Sequence, residues 1–106
     1  MGPVGIGIIG AGFVAGLHAH AYRSMGESAA RVVAVTSRST DSANKLAEQY
    51  GIRSVEKDFA SLLAREDVDV VDLCVPNALH EPLAIAAAEA GNLLLVTGGS
   101  WDHLCE

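Results

Sequence analysis

A chain of 106 residues amounts to one domain, enough for a core that takes roughly 60 to 70% of the unfolded surface out of water. Half of its residues are hydrophobic and 19% are charged, with a mean hydropathy of +0.30, which is too apolar for a disordered chain. Seven basic residues against thirteen acidic ones leave a formal charge of −6, so neither nucleic acid nor an anionic membrane surface is an expected partner.

Cys74 and Cys105 lie far apart, no basic and apolar leader opens the chain, and no apolar run approaches the ~18 residues of a membrane span. A soluble, cytoplasmic protein is expected.

In chain order, Val4 to Ile9 is an apolar, β-branched run that stops at Gly10-Ala11-Gly12, the pattern of a buried strand ending in a tight turn. Phe13 to Met25 repeats Val14, Leu17, Ala21 and Met25 at helical spacing, and Gly26 follows as a terminator. Arg31 to Thr36 is a second continuous β-branched run, expected to be covered on both faces. Asp41 or Ser39 caps a helix through Tyr50, closed by Gly51. A brief strand falls at Ile52 to Val55, and Asp58 caps a short helix holding Phe59, Leu62 and Leu63. Val68 to Val75 is a strand stopped by Pro76-Asn77, Leu83 to Gly91 an alanine-rich helix, and Leu93 to Thr97 a fifth strand.

Strands alternating with helices predict an α/β, doubly wound parallel sheet of about five strands in the order 3-2-1-4-5, with no second domain. Residues 1–97 would form the folded domain and 98–106 an irregular tail. Ligands bind such sheets where the winding reverses, at the carboxyl ends of strands one and four.

That position holds a G-x-G-x-x-A fingerprint, Gly10-Ala11-Gly12-Phe13-Val14-Ala15, between the first strand and the first helix. Gly10 permits the turn, Gly12 keeps a Cβ away from a pyrophosphate, and Ala15 lets helix and strand approach. Free amides and the helix dipole would then face the phosphates. The pattern predicts dinucleotide binding. S-adenosylmethionine is disfavoured, because Ile8-Ile9 stand where an acidic residue would, and a P-loop is excluded by the absence of Lys-Ser or Lys-Thr at the required spacing.

At the end of strand two an NAD site would carry Asp or Glu against the ribose 2′-hydroxyl, whereas this chain has Thr36-Ser37-Arg38-Ser39. A guanidinium with no carboxylate beside it suits a 2′-phosphate, so NADP is favoured, with NAD the alternative and a merely solvated Arg38 the plain one. After strand four, Pro76, Asn77 and His80 form a turn able to meet a nicotinamide ribose, or simply a capped turn with a solvated histidine.

Taken together, the glycine fingerprint followed by His18, Asp67-Val68-Asp69-Val70-Val71-Asp72, Pro76-Asn77 with His80, and Ala87 to Gly91 resemble the Gfo/Idh/MocA oxidoreductases, of the glucose-fructose oxidoreductase and inositol dehydrogenase type. The likeness runs from Val4 to about Val96. It implies a Rossmann-like domain in which Gly10, Gly12, Phe13, Val14 and Ala15 line the pyrophosphate site, Ser37 and Arg38 the adenosine ribose, and Pro76, Asn77 and His80 the nicotinamide side. It also implies hydride transfer at a hydroxyl-bearing carbon of a sugar, cyclitol or similar molecule.

Members of that family follow the fifth strand with Glu-Lys-Pro and a substrate domain, whereas Thr97-Gly98-Gly99-Ser100-Trp101 stands here. The expectation is a truncated cofactor half that either docks to a substrate domain or pairs with a copy of itself through an open sheet edge. The alternatives are a non-catalytic NADP(H)-binding module or the product of a truncated reading frame. No catalytic residue and no metal ligand are assigned. His18 and His20 point to different faces of one helix, Asp67 and Asp69 flank a turn, Cys74 packs as a small apolar residue, and Asp72 needs a buried partner or an exposed edge, with no partner named by the sequence.

Overall fold

The computed structural model describes residues 3–75, 77–91 and 93–96. Nine elements alternate along them: β1 (Val4–Ile9), α1 (Phe13–Met25), β2 (Ala30–Thr36), α2 (Thr40–Tyr50), β3 (Ser54–Val55), α3 (Phe59–Leu63), β4 (Val70–Leu73), α4 (Asn77–Glu89) and β5 (Leu93–Val96). The strands form one sheet in the order β3-β2-β1-β4-β5, with every neighbouring pair parallel. This is the doubly wound α/β architecture anticipated above. The tail at 98–106 lies outside the described residues.

Both faces of the sheet are covered, which is why β1 and β2 read as continuous apolar runs instead of alternating ones. On one face Ile6, Ile8 and Val35 pack against Ala15 and Ala19 of α1 and Ala43, Leu46 and Ala47 of α2. On the other, Ile9, Ala34, Val71 and Leu73 meet Leu62 and Leu63 of α3 and Leu83 and Ala87 of α4. Alanines dominate the inward side of α1, so this helix lies close to the strands.

The caps set the helix ends. Ser39, not Asp41, caps α2, its hydroxyl accepting from the Ser42 amide at 3.2 Å, and Gly51 closes that helix in the left-handed region. Asp58 caps α3 through the Ser61 amide at 2.8 Å. The one large shift from the sequence reading concerns α4, which begins at Asn77 and carries Pro82 inside it. A proline near a helix start forfeits only one i→i−4 hydrogen bond, and the apolar residues beyond it still reach the sheet. Asn77 and His80 therefore belong to the first turns of α4 and not to a loop.

The lower end of the sheet is tightly tied. A Cβ on Gly5 would lie 1.8 Å from the Asp67 carbonyl oxygen, and Asp69 closes the junction by accepting from the Gly5 amide at 2.9 Å. Arg65 grips Asp67 with two 2.8 Å hydrogen bonds and reaches Glu56 at 2.7 Å. These acidic residues hold the approach to β4, as a turn-flanking role requires.

Two carboxyls in these caps and clamps titrate below the ordinary aspartate range: Asp58 through the Ser61 hydrogen bonds, and Asp67 through its hydrogen bond from Arg65. A lowered folded-state value means stability that is fully present above the unfolded value of about 3.9 and lost as pH falls through the folded one. Thermal unfolding followed by circular dichroism should show Tm steady down to about pH 4 and falling below it. A Tm unchanged down to about pH 2 would remove these contacts from the stability of the fold.

Candidate functional site: the switch point between β1 and β4

The carboxyl ends of β1, β2 and β4 converge on the glycine turn. The Gly10 amide donates to the Thr36 carbonyl at 2.8 Å, and the Cys74 amide to the Ile9 carbonyl at 2.8 Å. Gly10 has φ +112° and faces Cys74 so closely that a Cβ there would stand 2.2 Å from its carbonyl oxygen. Only glycine accepts both constraints. Gly12 differs, because a Cβ on it would meet no protein atom within 4 Å. The open space in front of Gly12 is what a bulky ligand at the turn requires.

Gly12 is the N-cap of α1, no side chain caps that end, and its first turn carries no acidic residue. The leading amides of α1, at Phe13 and Val14, thus face outward with the positive end of the helix dipole behind them. Phe13 is 71% exposed beside them, while Ala15 is fully buried, so the Ala15 methyl sets the helix-to-sheet distance. Such an end binds a diphosphate through its amides.

The Gly10–Thr36 hydrogen bond places the end of β2 next to this turn. Ser37 donates from its hydroxyl to the Ser39 carbonyl at 2.5 Å, bending the chain into α2. Arg38 is exposed, and among the described residues no carboxylate pairs with it. On the other lip, the backbone of Asn77 opens α4 beyond the end of β4. Pro76 and the side chains of Asn77 and His80 lie outside the described residues.

A concavity of about 880 Å³ lies at the opposite end of the strands, lined by Gly5, Arg31, Arg53, Asp67 and Asp69 among others. A smaller one, about 430 Å³, runs between α1 and α2 from Gly12 and Phe13 to Lys45 and Tyr50.

Beneath the turn lies a cluster that sequence reasoning could not assemble. Asp72 of β4 is fully buried, and its Oδ2 is 2.7 Å from His18 Nδ1 and accepts from the Tyr22 hydroxyl at 2.5 Å. The Cys74 thiol lies 3.4 Å from Asp72 Oδ1 and 3.4 Å from His18 Nδ1. Burial, then the Asp72 carboxylate, hold the Tyr22 phenol far above its usual range, so Tyr22 stays a donor. The signal for this pairing was the i,i+4 spacing of His18 and Tyr22, which puts both on one face of α1. His20, two residues from His18, is exposed. The ligand atoms of His18, Asp72 and Cys74 fall within 4.8 Å of one another, a spread that can hold a metal ion, but here they are engaged with each other. No helix among the described residues is long and apolar enough to cross a membrane.

A parallel sheet with an uncapped, glycine-led helix at its switch point defines a dinucleotide-binding α/β domain. The chain belongs to the Gfo/Idh/MocA family, whose model, described as an oxidoreductase family with an NAD-binding Rossmann fold, matches residues 4–96. It is 33% identical over 101 residues to levoglucosan dehydrogenase of Pseudarthrobacter phenanthrenivorans, covering 90% of this chain and 26% of that protein. It is 39% identical over 90 residues to D-glucoside 3-dehydrogenase of Escherichia coli, covering 84% and 25%. Among solved structures, a levoglucosan dehydrogenase complex with NADH and L-sorbose superposes with a TM-score of 0.80 at 32% identity, covering 91% of this chain and 27% of that one. The chain thus spans about a quarter of the length of these relatives. A nicotinamide dinucleotide is the cofactor of this domain.

Proposed function

We propose that this chain is the dinucleotide-binding part of an oxidoreductase that moves hydride between NADP(H) and a hydroxyl-bearing carbon of a sugar, cyclitol or related small molecule. The observation that carries the reading is the open, uncapped start of α1 at Gly12, set where the winding of the sheet reverses. In this reading the amides following Gly12 bind the pyrophosphate, Ser37 and Arg38 meet the adenosine ribose, and Pro76, Asn77 and His80 are the residues assigned to the nicotinamide ribose. The nicotinamide, when bound, supplies the hydride chemistry. The carbohydrate-derived substrates in the names of the relatives support the substrate class, with the substrate contacts and the proton-transfer group contributed by another domain.

Arg38 supports NADP over NAD. Its guanidinium is exposed just past the end of β2, with no carboxylate paired to it among the described residues, where a planar donor fork can grip a 2′-phosphate. Calorimetric titration of the chain with NADPH and NADH tests both readings together. Saturable binding that favours NADPH is expected, and Arg38→Ala should weaken NADPH by about tenfold or more while sparing NADH. Equal losses for the two would take Arg38 out of the 2′-phosphate role. No binding of either by folded protein would overturn the cofactor reading.

A second reading, a module that binds NADP(H) without catalysis, is favoured by Thr97-Gly98-Gly99-Ser100-Trp101 standing where the family resemblance leads one to expect Glu-Lys-Pro. Turnover of a polyol by the chain, alone or mixed with a substrate domain, would exclude it.

A further inference from the structure

Asp72 is an expensive residue for its place. It stands in β4, opposite Ile8 of β1, with no exposed surface, and a carboxylate taken out of water there needs strong donors. Two of them come from α1, one helical turn apart, and converge on one oxygen: His18 Nδ1 at 2.7 Å and the Tyr22 hydroxyl at 2.5 Å. The remaining buried contacts of α1 are the methyl groups of Ala15 and Ala19, which favour a close approach but give it no direction. Hydrogen bonds do have direction, and two of them separated along the helix resist both rolling and sliding of α1 on the sheet.

The same tie reaches both lips of the cofactor site. Two residues past Asp72, Cys74 lies against Gly10, and its amide is bonded to the Ile9 carbonyl. At the other end, His18 stands a little over one turn behind Phe13, whose amide opens the helix. The atoms do not form a nucleophilic relay, because Cys74 and Asp72 share the same His18 nitrogen, whereas a relay uses the two ring nitrogens separately.

We infer that Asp72 is a positioning residue of the dinucleotide site, holding the phosphate-facing amides of α1 in register with the glycine turn and the end of β4 through His18 and Tyr22. This rests on the reading of the α1 N-terminus as the pyrophosphate site.

The test uses Tyr22→Phe, which deletes one donor and little volume, and Asp72→Asn, which keeps an oxygen able to accept from both donors but removes the charge. Two readouts are taken on the 106-residue chain at a temperature where each variant is folded by circular dichroism. The first needs no ligand: the backbone amide resonances of Gly10, Gly12 and Phe13. The second is calorimetric affinity for NADH and for adenosine, which lacks phosphate.

Tyr22→Phe is expected to shift the Gly12 and Phe13 resonances and to weaken NADH by about tenfold while leaving adenosine unchanged. Asp72→Asn by itself should leave both readouts close to those of the unaltered chain. A lowered Tm with unmoved amide resonances and unaltered NADH affinity would reduce Asp72 to a purely structural tie and overturn the inference. If the unaltered chain binds neither NADH nor NADPH, the cofactor reading falls, and the resonances alone decide whether Asp72 positions the helix start.

Discussion

Substituting alanine at the two outer glycines of the turn is expected to give opposite results. Gly10→Ala should destabilise the chain by more than about 3 kcal/mol, since it forces a side chain onto a positive φ and drives a Cβ into a backbone carbonyl. The contact, 2.2 Å to the Cys74 oxygen, cannot be relieved by a rotamer change, because both partners are backbone or directly attached to it. Against a total stability of about 5–15 kcal/mol for a small domain, a loss of this size shows directly in urea unfolding.

Gly12→Ala meets no protein atom within 4 Å and should cost less than about 1 kcal/mol, the ordinary penalty for alanine at an N-cap. Its effect belongs to the ligand: NADH or NADPH affinity should fall by about tenfold or more, because the new methyl group occupies the space of the pyrophosphate. Wild-type affinity in a folded Gly12→Ala chain would remove the start of α1 from the phosphate site.

The second large effect lies in the buried cluster and depends on which partner is removed. His18→Leu takes a donor from the Asp72 oxygen while the carboxylate stays fully buried, and should cost about 3–5 kcal/mol, the range for breaking a buried pair from one side. Adding Asp72→Leu removes the buried carboxylate as well. The double variant should therefore regain much of that loss, since an apolar pair of similar size often replaces a buried polar one at little net cost. Chemical denaturation of the two single variants and the double variant, treated as a cycle, measures the coupling. Strict additivity would mean that His18 and Asp72 contribute nothing to each other.

Most of the architecture was legible because it is written in local terms. The bounds of α1, from Phe13 to Met25, follow from helical spacing after a glycine turn and a terminating Gly26, whose amide does bond back to the Arg23 carbonyl. Asp58 was readable as a cap for the same reason: it acts on an amide three residues away. The two candidates for the start of α2 were separable only by geometry, which favours Ser39. The start of α4 was misplaced because local rules penalise Pro82, while the helix is held by Leu83 and Ala87 packing under β4.

The functional site divides along the same line. The glycine turn announces itself, since each small residue answers a backbone need within a few positions. Asp72 announced only a debt of hydrogen bonds; two of its partners, His18 and Tyr22, are 54 and 50 residues away in the chain, and nothing local to β4 names them.

By itself the sequence determined the alternation of strands and helices, the order of the sheet and the position of the glycine turn, because periodicity, capping and glycine placement act over one or two turns of chain. The tertiary structure alone decided that Gly10 is held by the Cys74 carbonyl, that Gly12 opens onto free space, and that His18 and Tyr22 satisfy Asp72. Those are meetings between elements distant in sequence, and they exist only once the sheet has brought β1, β4 and α1 within hydrogen-bonding reach.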